Sequence, residues 1–200
     1  MRHLSLDKTK KYLLACSFGP DSMALFFLLL KEKYDFEVAI VNYHLRKESD
    51  DEVENLNNFC HQNNKIIHVL DVKEKITSNI EEKCREIRYN FFASICNKNK
   101  LSGVIVAHHQ DDLIETYFLQ KQRQILPIFY GLQEKTTILG IDIYRPLLAY
   151  TKIDLAKICT ENSIPFSIDK SNLSDKYLRN KIRHTIIDKL DEKERRKIYY

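Results

Sequence analysis

Short apolar runs alternate with longer amphipathic stretches through most of this sequence. The apolar runs have the length of buried strands and lie at residues 12–16, 38–43, 66–72, 104–107 and 141–144. The amphipathic stretches have the length of helices and lie at residues 22–33, 50–63, 80–98, 111–124, 152–162 and 177–199. Strand and helix in alternation predict right-handed crossover connections. The expected fold is therefore α/β, with a doubly wound, mainly parallel five-stranded sheet covered by helices on both faces.

Three polar segments follow three different predicted strands. They are residues 17–22, 42–46 and 108–112. In a parallel sheet the carboxyl ends of the strands lie along one edge, and ligands bind beyond that edge. We therefore expect these three segments to meet at one binding site.

The first of these segments, Ser17-Phe18-Gly19-Pro20-Asp21-Ser22, joins a predicted strand to a predicted helix. A tight turn of hydroxyl residues and glycine directs backbone N–H groups and the positive end of the helix at one point, which suits a phosphate. Asp21 could then hold a magnesium ion that accompanies the phosphate. Taken alone, the six residues fit an ordinary capped turn equally well.

Composition constrains the class of protein more than its chemistry. The 200 residues include 32 Lys and Arg against 28 Asp and Glu, and the net charge of +4 permits a nucleic-acid partner without indicating one. Five cysteines, with no Cys-x-x-Cys pair, predict reduced and mostly buried thiols. No apolar run is long enough to span a bilayer, and the N-terminus lacks the apolar stretch of a signal peptide. We expect a cytoplasmic protein with no membrane partner.

Two common nucleotide-binding signatures are missing from the sequence, namely the Gly-rich loop ending in Gly-Lys-Ser/Thr and the Gly-x-Gly-x-x-Gly turn. Residues 17–22 instead resemble the phosphate loop Ser-Gly-Gly-x-Asp-Ser of the ATP pyrophosphatase (PP-loop) superfamily, which cleaves ATP between its α and β phosphates. Ser17, Gly19, Asp21 and Ser22 match that loop. Phe18 departs from it, because it stands where the loop has its first glycine.

Further segments resemble one branch of that superfamily, the tRNA(Ile)-lysidine synthetases. Residues 42–46 are similar to the family's His-x-Leu-Arg segment, and residues 85–89 to its Arg-x-x-Arg-Tyr helix. Residues 107–116, Ala-His-His-Gln-Asp-Asp-Leu-Ile-Glu-Thr, are close to its most distinctive motif. Residues 145–148 and 169–184 match two more motifs. The matches occur in the family's order and cover most of residues 12–184.

The resemblance implies a two-step ligation that uses ATP and Mg²⁺. ATP first adenylates the ring carbonyl oxygen of the wobble cytidine in tRNA(Ile) with a CAU anticodon, and pyrophosphate leaves. The ε-amine of free lysine then displaces AMP, which leaves lysidine. The oligomeric state stays open, with a dimer among the alternatives.

The same resemblance assigns roles to individual residues. Asp112 and Glu115 are spaced i, i+3 on one helix face and suit the lysine ammonium groups; one of them, or His108, is the candidate general base. Arg179 is expected to act at the reacting centre and on the RNA backbone. Asp21 is expected to act in catalysis as the magnesium ligand. The residues expected to bind the nucleotide are Ser17, Phe18, Gly19, Pro20, Asp21, Ser22, His44 and Arg88.

The sequence also predicts two regions of the chain with different roles. Residues 1–165 are expected to form the PP-loop nucleotide-binding domain, and residues 166–200 a basic helical extension that contributes to tRNA contact. Two other functions stay open. A tRNA thiolase of the same superfamily is disfavoured by the scattered cysteines, and a non-catalytic RNA-binding module with a decayed loop is favoured only by Phe18.

Overall fold

The computed structural model describes residues 3–122, 127–168 and 185–199. These residues contain one six-stranded sheet. Its strands are β1 (Lys11–Ala15), β2 (Asp35–Asn42), β3 (Ile67–Asp71), β4 (Val104–Ile105), β5 (Lys135–Ile138) and β6 (Ile141–Tyr144). Their order across the sheet is β3-β2-β1-β4-β6-β5. All neighbours are parallel except β5 and β6, so the predicted doubly wound, mainly parallel α/β sheet is confirmed.

Helices follow most of the strands, as the alternating pattern predicts. They are α1 (Pro20–Lys31), α2 (Ser49–Gln62), α3 (Ile80–Asn99), α4 (Gln110–Gln122), α5 (Lys152–Glu161) and α6 (Glu192–Tyr199), with a 3₁₀ turn at Ile187–Lys189. No helix in the described residues has both the length and the apolar surface needed to cross a membrane.

The sheet is covered on both faces by separate hydrophobic cores. Leu14 and Val38 point to one face, where they pack with α1, α2 and α5. Leu13 and Ala39 point to the other face and pack with α3. Because neighbouring strand residues face opposite sides, strands buried on both faces produce the continuous apolar runs seen in the sequence.

A third, smaller core lies beside the sheet, where α4 packs against the chain's C-terminal segment. Leu113 and Ile114 from α4 meet Leu148 and Ile187, and all four side chains are buried. Arg195 of α6 pairs with Asp111 and also donates to the carbonyl of Ile187 at 2.8 Å. The C-terminal segment is therefore tied directly to the first turn of α4.

Two sequence predictions need correction. The sheet has six strands rather than five, because Lys135–Ile138 pairs antiparallel with β6 through a tight turn at Leu139 and Gly140, both of which have positive φ. This strand lies at the edge of the sheet and alternates exposed with half-buried residues, so it leaves no apolar run to detect.

The second correction concerns the predicted helix over residues 177–199. Its described part is interrupted, because Leu190 is extended and Asp191 begins a new helix by accepting from the N–H of Glu194 at 2.8 Å. Residues 177–184 lie outside the described residues. The expected division into residues 1–165 and 166–200 stays a prediction.

Candidate active site

An open cleft of about 290 Å³ lies at the carboxyl ends of β1, β2 and β4. The strand order reverses between β1 and β4, and such a switch point leaves a crevice between diverging loops. The cleft is lined by residues from all three predicted segments and from α3. The polar side chains that matter below are Ser17, Asp21, Arg88, His108 and Asp112.

The turn between β1 and α1 is held by its own serines. The hydroxyl of Ser22 accepts from the backbone N–H of Ser17 at 3.3 Å and donates to the carbonyl of Gly19 at 3.0 Å. Gly19 caps α1, and Asp21 lies in the first helical turn. The first N–H groups of a helix have no acceptor within the helix, so this turn offers donors to an anion.

Phe18, the residue that departs from the superfamily loop, points away from the cleft. It adopts a left-handed backbone conformation with φ 59°, and its ring is 4% exposed in the core beside α1. Its carbonyl accepts from the N–H of Ser167 at 2.9 Å. Phe18 thus meets the positive φ that glycine would adopt freely, and burial of the ring offsets the strain.

Pro20, also predicted to bind nucleotide, has no N–H to donate. Its carbonyl accepts from the Cys159 thiol of α5 at 3.3 Å. Phe18 and Pro20 therefore anchor the turn to the body of the protein, and the donors available to a ligand come from their neighbours.

His109 is buried between two carboxylates at the floor of the site. Its Nε2 lies 3.6 Å from Oδ2 of Asp21 and 3.4 Å from Oδ2 of Asp112. Burial alone would lower the pKa of His109, but the neighbouring carboxylates of Asp21 and Asp112 outweigh it and raise that pKa. The cluster joins the turn at residues 17–22, which we call the phosphate turn, to the start of α4.

Sequence reasoning selected His108 and missed His109 as a site residue. The two histidines are adjacent, and only the fold shows that His109 turns inward to meet Asp21. The available signal was the position of both residues directly after a strand, which places them at the ligand edge of the sheet.

His108 lines the cleft and is half-buried. Its Nδ1 accepts a hydrogen bond from Nε of Arg145 at 3.1 Å. The pKa of His108 is lowered to about 4, mainly by burial; the charge of Asp112 raises it, whereas the charges of Arg145, Arg88 and His109 contribute to the lowering. His108 is therefore neutral at physiological pH.

Arg88 and Tyr43 form the opposite wall of the cleft. Arg88 has no acidic partner among the described residues, so its guanidinium is available to an anion. Tyr43 donates to the carbonyl of Cys84 at 2.7 Å, and burial raises its pKa to about 12. The wall combines a cation with a tyrosine that stays neutral.

The remaining predicted residues take other positions. Glu115 is buried further along α4 and is not one of the residues that line the cleft. His44 lies outside the cleft, with its ring held between Asp71 and Asp50, 3.2 Å from the latter. Arg179 lies outside the described residues.

The residues near Asp21 fit a magnesium ion that is shared with phosphate oxygens. One carboxylate oxygen, Oδ1 of Asp21, is buried and has no hydrogen-bond partner among the described residues. In that part of the chain no three His, Cys, Asp or Glu side chains converge on one metal position. Mg²⁺ commonly takes one or two carboxylates and completes its shell with substrate phosphates and water.

The sequence of residues 2–190 matches the PP-loop domain. The chain belongs to the PP-loop domain family. Within it, the chain is 42% identical over 183 residues to a tRNA(Ile)-lysidine synthase from Ureaplasma parvum, which covers 88% of this chain and 54% of that protein. It is 37% identical over 191 residues to the enzyme of the same name from Mycoplasma mycoides, covering 93% of this chain and 48% of the other.

The chain thus spans about half the length of these curated PP-loop relatives. Its fold is similar to that of the U34-tRNA thiolase NcsA from Methanococcus maripaludis, solved with its [4Fe-4S] cluster. That match has a TM-score of 0.79 at 15% identity and covers 96% of this chain and 70% of that one. At this identity the similarity concerns the fold alone.

Proposed function

We propose that this PP-loop protein ligates lysine onto the wobble cytidine of tRNA(Ile) with a CAU anticodon, using ATP and releasing AMP and pyrophosphate. The observation that carries the proposal is the cleft in which the phosphate turn, Arg88, His108 and Asp112 face one another. The named relatives support it, because their similarity extends over about nine-tenths of this chain. A cytoplasmic location follows from the proposed substrate.

The phosphate turn and Arg88 suit the first step, in which the carbonyl oxygen of the cytosine ring attacks the α-phosphate and pyrophosphate leaves. Ser17, Ser22 and the first turn of α1 supply donors, and Arg88 supplies a cation for the growing negative charge. Asp21 would hold Mg²⁺, which neutralises phosphate charge when bound.

The second step needs an acceptor for a proton. The lysine ε-amine attacks the activated ring carbon, a C–N bond forms, the C–O bond to AMP breaks, and the amine loses a proton. Asp112 lines the cleft and Glu115 is buried behind it on the same helix, so we assign the ammonium site and the base to this pair. Arg179 remains the proposed RNA contact at the reacting centre.

Two observations weigh against the alternative functions. Cys16 is the one cysteine among the residues that line the cleft, and burial raises its pKa to about 11, so it is a thiol rather than the thiolate that sulfur transfer requires. Phe18 leaves the cleft open, because its ring is buried in the core, so it does not indicate a decayed loop.

The decisive assay combines the protein, ATP, Mg²⁺, labelled lysine and a tRNA(Ile) transcript with a CAU anticodon. We expect lysine incorporation with stoichiometric AMP and pyrophosphate, and none with a GAU anticodon control. Asp112→Asn and Glu115→Gln should each lower lysine transfer by about 100-fold. If both variants still use lysine normally, the assigned amino-acid site is wrong.

Two controls separate the alternative functions. Cys16→Ala should retain lysine ligation, whereas a thiolase that used this cysteine would be inactivated. Calorimetry with ATP and Mg²⁺ should show binding, and a chain that bound no nucleotide would be the RNA-binding module instead.

A further inference from the structure

Arg145 is a buried cation directly behind the cleft. It follows β6, is 5% exposed, and meets no carboxylate among the described residues. A buried charge without a counter-ion is costly, so its position calls for an explanation. The side chain that Arg145 contacts on the cleft side is His108.

The contact determines which nitrogen of His108 carries the proton. Arginine Nε has a hydrogen and no lone pair, so it can only donate. Nδ1 of His108 accepts that hydrogen at 3.1 Å and must therefore be unprotonated. In a neutral imidazole the proton then resides on Nε2.

The guanidinium is held in this orientation by the β5–β6 hairpin and the segment before it. Nη1 of Arg145 donates to the carbonyl of Gln133 at 2.9 Å and to the hydroxyl of Thr136 at 3.0 Å. The backbone N–H of Arg145 also donates to the carbonyl of Glu134 at 2.8 Å. With Nη1 fixed in this way, Nε has one direction in which to donate, toward His108.

We propose that Arg145 is a positioning residue that locks His108 as the neutral Nε2–H tautomer, so that His108 presents a hydrogen-bond donor to the cleft. While Nε of Arg145 donates to Nδ1 of His108, that nitrogen cannot accept a proton. His108 is thereby removed from the candidates for the general base, which leaves Asp112 and Glu115. The Nε2–H group of His108 suits an anionic or carbonyl oxygen of a ligand. That use of the donor rests on the proposed function, whereas the assignment of the tautomer does not.

The test is a long-range ¹H–¹⁵N correlation spectrum of the full chain labelled with ¹⁵N-histidine at neutral pH. The His108 signals are identified as those missing from His108→Gln. In the wild type we expect Nε2 to be protonated and Nδ1 to be bare. A wild-type ring protonated at Nδ1 would overturn the proposal, and this result requires no variant of Arg145 to fold.

Arg145→Met then removes the donor and the cation while keeping an unbranched side chain. The His108 signals should become those of a mixture of tautomers, and the ring should titrate at least one pH unit higher. The charges that still face it are Asp112 of α4, Arg88 of α3 and the neighbouring His109. An unchanged tautomer and titration in a folded Arg145→Met would contradict the proposal.

Thr136→Val is the matched control. It removes one hydrogen bond that Arg145 makes within the hairpin and leaves the bond to His108 in place. A change in hairpin packing alone would affect both variants, whereas the tautomer signature should change only in Arg145→Met. A confirmed tautomer in a protein that ligates no lysine would reject the proposed function and leave this inference standing.

Discussion

Two pairs of histidine and carboxylate, each with one buried and one half-buried member, lie toward opposite ends of the strands and are completed in different ways. Toward the amino ends, Glu37 of β2 is bonded by His68 at 2.7 Å, Lys11 at 2.8 Å and Asn99 at 2.8 Å. At the carboxyl ends, Asp21 lies 3.6 Å from His109. There, Oδ1 of Asp21 and Nδ1 of His109 are buried and lack hydrogen-bond partners within the described residues.

The contrast distinguishes a stabilising cluster from a ligand site made of the same chemical groups. An unsatisfied buried polar atom costs about 1–3 kcal/mol, a cost that the Glu37 cluster avoids. The Asp21 cluster carries that cost at the edge of the sheet where ligands bind. We therefore expect substitutions in the Glu37 cluster to reduce stability and substitutions in the Asp21 cluster to reduce activity.

The largest expected effect is that of Asp21→Asn on catalysis. The substitution removes the proposed magnesium ligand and should lower ATP-dependent pyrophosphate release by about 1,000-fold. The free energy of unfolding, measured by urea denaturation, should stay within about 1 kcal/mol of the wild type because the removed charge was incompletely paired. A strongly destabilised Asp21→Asn would mean that the Asp21 cluster stabilises the fold, as the Glu37 cluster does.

Glu37→Gln should show the reverse behaviour. Three bonds from Lys11, His68 and Asn99 outweigh desolvation and lower the pKa of Glu37 from 4.5 to about 2. Loss of that charge should reduce the free energy of unfolding at neutral pH by about 3 kcal/mol, while pyrophosphate release stays within about twofold. The same substitution at Glu161, whose pair with Lys157 is exposed, should change stability by less than about 0.5 kcal/mol.

Acid should remove the difference between Glu37→Gln and the wild type. The pKa of Glu37 is lower in the folded state, so its contribution is complete above the unfolded pKa of 4.5 and is lost as the pH falls toward about 2. The gap in unfolding free energy should shrink from about 3 kcal/mol at neutral pH to about 1 kcal/mol near pH 3. A gap that is independent of pH would mean that packing, not charge, makes Glu37 important.

The sequence predicted the parts of the molecule that depend on local pattern. Strands buried on both faces and the turn at residues 17–22 follow from apolar runs and from glycine, serine and proline positions. The edge strand Lys135–Ile138 has no such pattern, because half of its residues face solvent and its pairing depends on a turn with no common signature.

The site was harder to predict, because it depends on which way adjacent side chains turn. His108 and His109 are neighbours in sequence, yet one accepts from Arg145 and the other meets Asp21. Arg145 is 37 residues from His108, so no local pattern could indicate this contact. The sequence identifies Phe18 as a departure from the superfamily loop, but only the packed core shows where its ring lies.

The smallest expected effects are those of alanine substitutions at two glycines near opposite ends of the strands. Gly19 has φ −79°, and an added Cβ would meet only the Ser17 hydroxyl at 3.5 Å, an ordinary contact. Gly103 has φ 144°, and its Cβ would lie 2.5 Å from the carbonyl of Asp142. Gly19→Ala should therefore fold normally and weaken ATP binding by about tenfold, because the methyl group intrudes where the phosphate approaches.

Gly103→Ala should instead lower the melting temperature and leave the ATP affinity of the folded fraction unchanged. Calorimetric ATP titration and thermal denaturation of both variants make the comparison. An unchanged ATP affinity in Gly19→Ala would place the phosphate away from this turn. Because the protein itself leaves room for that methyl group, any loss of affinity can be attributed to the ligand, which makes Gly19→Ala the sharpest probe of the turn.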